Sequence, residues 1–373
     1  MRLRVAHKTT PQPSPLPFCS PGLFAISTAR AYHPSMTESQ AMILGASGTA
    51  LTADEIALYR NERPWGFILF GRNIQEPAQI SDLVAAMREA VGRPQAPVLI
   101  DQEGGRVQRI RPPIAEKYPA AAEIGALYRA DKDLGLRAAW LMSRLHAFDL
   151  LKLGINVDCL PVLDVPVEGA SNVIGDRAYG FDPQTVSALG KAAADGLKAG
   201  GVLPVMKHMP GHGRGMADSH HDLPVVTASR QELEAHDFLP FRALNDELMA
   251  MSAHIVFTAI DPDEPATTSR KVIEEVIRGY IGFDGLLMSD DTSMNALKGT
   301  IGERAVRIAG GGCDIILHCN GVMEEMKDVV AQAQPLQGEA LRRADRVENA
   351  FGAVDALDES VLRQEFWGLI SGA

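Results

Sequence analysis

The residues from Lys207 to Pro224 read Lys-His-Met-Pro-Gly-His-Gly-Arg-Gly-Met-Ala-Asp-Ser-His-His-Asp-Leu-Pro. Lys207, His208, His212, Asp218, His220 and His221 crowd titratable groups into a segment that Pro210, Gly211, Gly213 and Gly215 keep from forming a regular element. A loop of this kind, held on a rigid scaffold, is a place to aim chemistry. Asp218 lies two residues before His220, so its carboxylate can bond one ring nitrogen, fix the tautomer and leave the other nitrogen for proton transfer near neutral pH. The plainer alternative is a turn aspartate beside an exposed histidine. A third reading takes His208, His212, His220 and His221 as metal ligands, but no His-x-His or His-Glu-x-x-His spacing favours it.

Three further segments carry reactive types. Asp101-Gln-Glu-Gly-Gly-Arg-Val-Gln-Arg109 follows the apolar Val98-Leu99-Ile100. A carboxylate there suits two sugar hydroxyls, and Gly104-Gly105 permit close backbone approach to a ligand. Equally, Asp101 could cap the next segment and pair with Arg106 or Arg109. In Asn172–Tyr179, Arg177 could fork onto a ligand oxygen or sit on the surface paired with Asp176. Asp290 follows the buried run Leu286–Met288, where a carboxylate can act as a nucleophile or as charge partner to an oxocarbenium-like transition state. A helix N-cap is its structural alternative.

The elements that must position these groups are short apolar strands separated by amphipathic helices. Strands are expected at Met42–Leu44, Gly66–Phe70, Pro97–Ile100, Ile155–Val162, Val202–Met206, Leu248–His254, Leu286–Met288 and Asp314–Leu317. Helical patterns fill Ile80–Val91, Leu127–Leu153, Val186–Ala199, Gln231–Leu248 and Val272–Ile281, with closing helices at Glu339–Ala356 and Glu359–Ile370. This alternation predicts an α/β chain with a parallel sheet, most economically a single (β/α)8 TIM-type barrel over residues 36–373. Useful polar residues follow nearly every strand: Arg72, Asp101, Asp164, Lys207-His208, His254, Asp290 and His318. An open doubly wound sheet would gather them mainly at one switch point.

The net charge is −11, and the first 35 residues hold four cations and no acid, so removing their +4 leaves −15 on the remainder. An acidic body of this kind is a poor general binder of nucleic acid or an anionic membrane, although a locally positive site could still take an acidic ligand. Cys159 and Cys313 sit in apolar runs and read as buried free thiols of a reducing compartment. Residues 1–35 carry six prolines and no periodicity, so they read as a disordered extension or the product of an upstream start codon.

Taken together these motifs resemble glycoside hydrolase family 3, in its short bacterial β-N-acetylhexosaminidase form. The resemblance runs from about Met42 to Asn320. It rests on Asp101–Arg109, Pro161-Val-Leu-Asp164, Ile174-Gly-Asp-Arg177, Lys207-His-Met-Pro-Gly-His-Gly213, Asp218-Ser-His220 and Ser289-Asp-Asp-Thr-Ser-Met294. It implies a retaining mechanism with Asp290 as nucleophile and His220, tuned by Asp218, as acid/base. Asp101, Arg109, Arg177, Lys207 and His208 would hold the N-acetylglucosamine unit. It further implies muropeptide substrates, no metal or organic cofactor, a monomer and a cytoplasmic location. Met209 and Thr292 depart from the family pattern, and neither carries a proposed chemical group.

Overall fold

The computed structural model describes residues 38–216 and 223–372. Every expected strand segment contains strand, with shifted ends, and every pairing in the two larger sheets is parallel. The first of these sheets runs, in spatial order, Ile316–His318, Gln40–Gly45, Pro64–Leu69, Val98–Ile100, Val157–Asp158 and Leu203–Pro204. The second runs Leu286–Met288, Met249–Ser252 and Met206–Met209. Single parallel bridges, Val162 with Lys207 and Met288 with Ile315, link their neighbouring strands.

Alternation within each strand decides which side chains meet. Ile43, Ile68, Leu99, Val157, Met249, Met251, Leu286, Met288 and Leu317 form one buried cluster. Their strand neighbours Met42, Leu44, Phe67, Leu69, Val98, Ile100, Ala250, Leu287 and Ile316 belong to another, shared with the helices. Successive side chains on a strand point to opposite faces, so a strand buried on both faces reads as a continuous apolar run. That is why these strands were visible in the sequence.

The helices differ in detail from their expected extents. The Leu127–Leu153 pattern divides into Ala121–Ala130 and Lys132–Leu151, because Asp131 leaves helical geometry and its carboxylate caps the second helix at the amides of Asp133 and Leu134. The Gln231–Leu248 pattern divides into Arg230–Ala235 and Leu239–Ala243. Pro240 is accommodated in the first turn of the second, where its missing N–H costs nothing. Ser229 and Glu232 form the capping box that their spacing announced. No helix among the described residues is long and apolar enough to cross a membrane.

Candidate active site

Asp101 stands at the end of the Val98–Ile100 strand, and the chain then doubles back through a two-stranded ribbon, Gln102–Gly104 with Val107–Gln108. Gly104 and Gly105 make that turn with φ of +91° and +55°, the region where a side chain would be strained. The reversal returns Arg109 to Asp101, and its Nη2 donates to Asp101 Oδ2 at 2.7 Å. Lys207, on the Met206–Met209 strand, donates to Asp101 Oδ1 at 2.8 Å. Arg177 ends a 3-10 turn, Gly175–Arg177, in a loop that Arg106 pins by bonding the carbonyls of Asn172, Val173 and Ile174.

Asp101, Arg109, Arg177, Lys207, His208 and Asp290 all line one cavity of about 380 Å³, with Ile68, Met251 and Leu317 among its apolar walls. A few polar groups converging over an apolar base is the usual form of a small-molecule site. Every candidate residue that the structure describes is therefore brought together there. Asp218 and His220 lie outside the described residues.

Charge inside this site is held in place rather than neutralised. Burial opposes ionisation of Asp101, but Lys207 and Arg109 outweigh it and keep the carboxyl well below the usual carboxylate range. Glu103 is lowered in the same way against burial, by Arg177 and Lys207. Burial likewise opposes the charge on Lys207, yet Asp101 and Glu103 raise its pKa and keep it an ammonium. The surface alternative for Arg177 does not hold. Its guanidinium is bidentate to Glu103, at 2.8 Å for both bonds, while Asp176 pairs instead with Arg106.

A second cluster fixes the start of the glycine loop. Asp164 is fully buried and accepts from the backbone amides of His208 and His212 through Oδ1, at 3.2 and 2.6 Å. Its Oδ2 meets His208 Nδ1 at 2.7 Å. An Nδ1–H facing a carboxylate sets the ring's tautomer and rotation. Gly213 allows the loop to pack here, since a Cβ on it would stand 2.0 Å from the Val165 carbonyl oxygen.

His212 is buried in this cluster, and burial pushes its pKa down to about 4, against the pull of the Asp164 carboxylate and with the help of His208. An unfolded histidine titrates near 6.5, so between about pH 6.5 and 4 the unfolded chain binds a proton that the folded chain refuses. Stability from this group is thus full above pH 6.5 and falls on acidification, by at most about 1.4 kcal/mol per pH unit. Denaturant titrations at pH 7, 6 and 5 should show a shallower acid slope for His212→Gln than for the unsubstituted protein. Parallel slopes would mean that His212 takes up its proton as readily in the folded chain as in the unfolded one.

Asp290 immediately follows the Leu286–Met288 strand and Ser289, and its Oδ1 accepts the amide of Asp291 at 2.8 Å. Asp291 has a different task. Its Oδ1 accepts the amides of Ser293 and Cys319, both at 3.0 Å, and its carbonyl receives His254 Nε2 at 3.0 Å. Both acids line the cavity, but Asp291 is the one whose carboxylate also ties the strand ends. Thr292, one of the two departures noted above, spends its hydroxyl on the Leu317 carbonyl and sits 2.8 Å from His318 Nδ1.

Sequence reasoning had not assigned roles to Glu103 or Asp164, and had weighed His212 only as a metal ligand. For Glu103 a signal existed: it alternates with Asp101 while Gln102 turns the other way to bond both backbone groups of Ile110. For Asp164 the signals were its place after a strand and its motif Pro161-Val-Leu-Asp164, neither of which gives its partners.

The sequence profile described as "Glycosyl hydrolase family 3 N terminal domain" matches residues 48–350. The chain belongs to glycosyl hydrolase family 3. Among its curated relatives is the β-hexosaminidase of Tolumonas auensis, 40% identical over 287 residues, covering 75% of this chain and 82% of that one. Among solved structures, NagZ from Neisseria gonorrhoeae in complex with N-trifluoroacetyl-D-glucosamine superposes with a TM-score of 0.78 at 30% identity, covering 90% of this chain and 97% of the other. A family 3 β-N-acetylglucosaminidase from a Paenibacillus strain gives the same TM-score and identity, covering 92% of this chain and 68% of its own. Within the family, the chain stands with the β-N-acetylhexosaminidases.

Proposed function

We propose that this family 3 enzyme is a retaining exo-β-N-acetylglucosaminidase that releases terminal N-acetylglucosamine from peptidoglycan fragments. Its substrates would be 1,6-anhydro-muropeptides, and its setting the recycling of cell wall in the cytoplasm by a monomer. Asp290 would attack the anomeric carbon to give a covalent glycosyl-enzyme. His220, oriented by Asp218, would protonate the leaving oxygen and then deprotonate the water that hydrolyses the ester. Asp101, Arg109, Arg177, Lys207 and His208 would grip the sugar's oxygens. The observation that carries the reading is the cavity that Asp290 lines together with Asp101, held ionised, and the three cations Arg109, Arg177 and Lys207. A neutral, hydroxyl-rich ring suits a site whose charges are already paired, since each fixed donor or acceptor can reach an oxygen without having to bury new charge.

We further propose that the strands close as a (β/α)8 barrel. The bridges Val162–Lys207 and Met288–Ile315, and a buried cluster to which strands of both sheets contribute, support this. Closure would put the strand ends carrying Asp101, Lys207 and Asp290 around one mouth.

Hydrolysis of p-nitrophenyl N-acetyl-β-D-glucosaminide, followed by NMR of the first-formed sugar, tests the proposal. β-configured product and release of N-acetylglucosamine from anhydro-muropeptide are expected. First-formed α product would exclude the double displacement.

A further inference from the structure

Lys207 and Arg177 line the cavity, but the carboxylate that binds both does not. Glu103 accepts from Arg177 Nε and Nη2 at 2.8 Å each, and its Oε1 lies 2.7 Å from Lys207 Nζ. Its side chain is only 4% exposed, Lys207 2% and Arg177 11%. We propose that Glu103 is a positioning residue that never meets the substrate and holds Arg177 and Lys207 in the pose that grips the sugar. The inference rests on the functional reading above and adds to it a residue outside the sugar's reach.

Three observations carry it. Lys207 has a second carboxylate, Asp101, so Glu103 is not needed merely to keep it charged. Arg177 has no such reserve: among the described residues its only other hydrogen bond is from Nη1 to the Val173 carbonyl, at 3.3 Å. Glu103 is itself rigidly placed, in a two-stranded ribbon whose next residue, Gly104, packs against the Pro119 carbonyl. A planar fork matched to a fixed carboxylate defines the guanidinium's plane as well as its position. Remove that carboxylate and Arg177 is left to the pull of Asp101 and Asp164, which already act on its charge. Asp101 would then be occupied by arginine instead of sugar hydroxyls.

The test is a double-substitution cycle in the full chain, read as kcat and KM on p-nitrophenyl N-acetyl-β-D-glucosaminide, with inhibition by free N-acetylglucosamine as a readout of binding alone. Glu103→Gln is expected to lower kcat/KM by at least about tenfold and to weaken inhibition in parallel. In the Arg177→Ala background the same change should cost at least about threefold less, because one of the two residues through which Glu103 acts is gone and the other, Lys207, keeps Asp101. Equal losses in both backgrounds, or a Glu103→Gln enzyme with unchanged kcat/KM, overturn the inference. If Glu103→Gln does not fold, Glu103→Asp keeps the charge but is one methylene too short to span both cations, and the same cycle applies to it. An unsubstituted protein that neither turns over the glycoside nor is inhibited by the sugar would instead overturn the functional reading itself.

Discussion

Asp290→Ala is expected to lower kcat/KM for N-acetylglucosaminides by on the order of 10⁴-fold or more, with the thermal unfolding midpoint moved by only a few degrees. The size of the loss follows from the role: without a nucleophile the double displacement has no first step, and only positioning by the rest of the site remains. Little stability should be lost, because of the two acids lining the cavity it is Asp291 that ties the strand ends, through the amides of Ser293 and Cys319. Asp291→Ala makes the contrast, and should cost more in unfolding midpoint than Asp290→Ala does. Mass spectrometry with a 2-fluoro or 5-fluoro glycosyl donor should find the sugar esterified to the peptide bearing Asp290. Labelling of any other residue, or retention of more than about one hundredth of the activity by Asp290→Ala, would remove Asp290 from the mechanism.

His220→Ala is expected to divide substrates by their leaving groups. A dinitrophenolate departs without protonation, so formation of the glycosyl-enzyme from the dinitrophenyl glycoside should be slowed little. Departure of a sugar alkoxide needs the acid, and its rate should fall by about 10²- to 10⁴-fold. The same variant lacks the base for the second step, so the glycosyl-enzyme should accumulate and give a burst of dinitrophenolate. Equal losses on aryl and sugar leaving groups would argue that His220 binds substrate rather than transfers the proton. Asp218→Asn should reproduce the pattern in weaker form if the carboxylate serves to orient the ring.

Much of the site was legible because its residues are local. Asp101 and Arg109 are eight residues apart, and the glycines between them force the reversal that makes the pair. The pairing of Arg177 was not legible. Its neighbour Asp176 was the nearest carboxylate in sequence, yet its partner Glu103 lies 74 residues away. The same is true of Asp164, whose partners His208 and His212 are 44 and 48 residues distant. Helix ends were misjudged where a capping side chain, Asp131, competed successfully with an apolar pattern that ran on through it.

By itself the sequence determined the class of the chain: apolar runs of strand length between helical periods dictate a parallel sheet covered by helices, and six motifs in order dictate the family. It also named the charged side chains that gather at the strand ends, since backbone alternation and glycine turns act over a few residues. Only the tertiary structure decided which acid meets which base. Burial makes that choice, because a carboxylate removed from water must find a cation within hydrogen-bond reach. The cation it finds depends on which strands and loops the fold brings together: Lys207 reaches Glu103 from a strand and Arg177 from a loop turn.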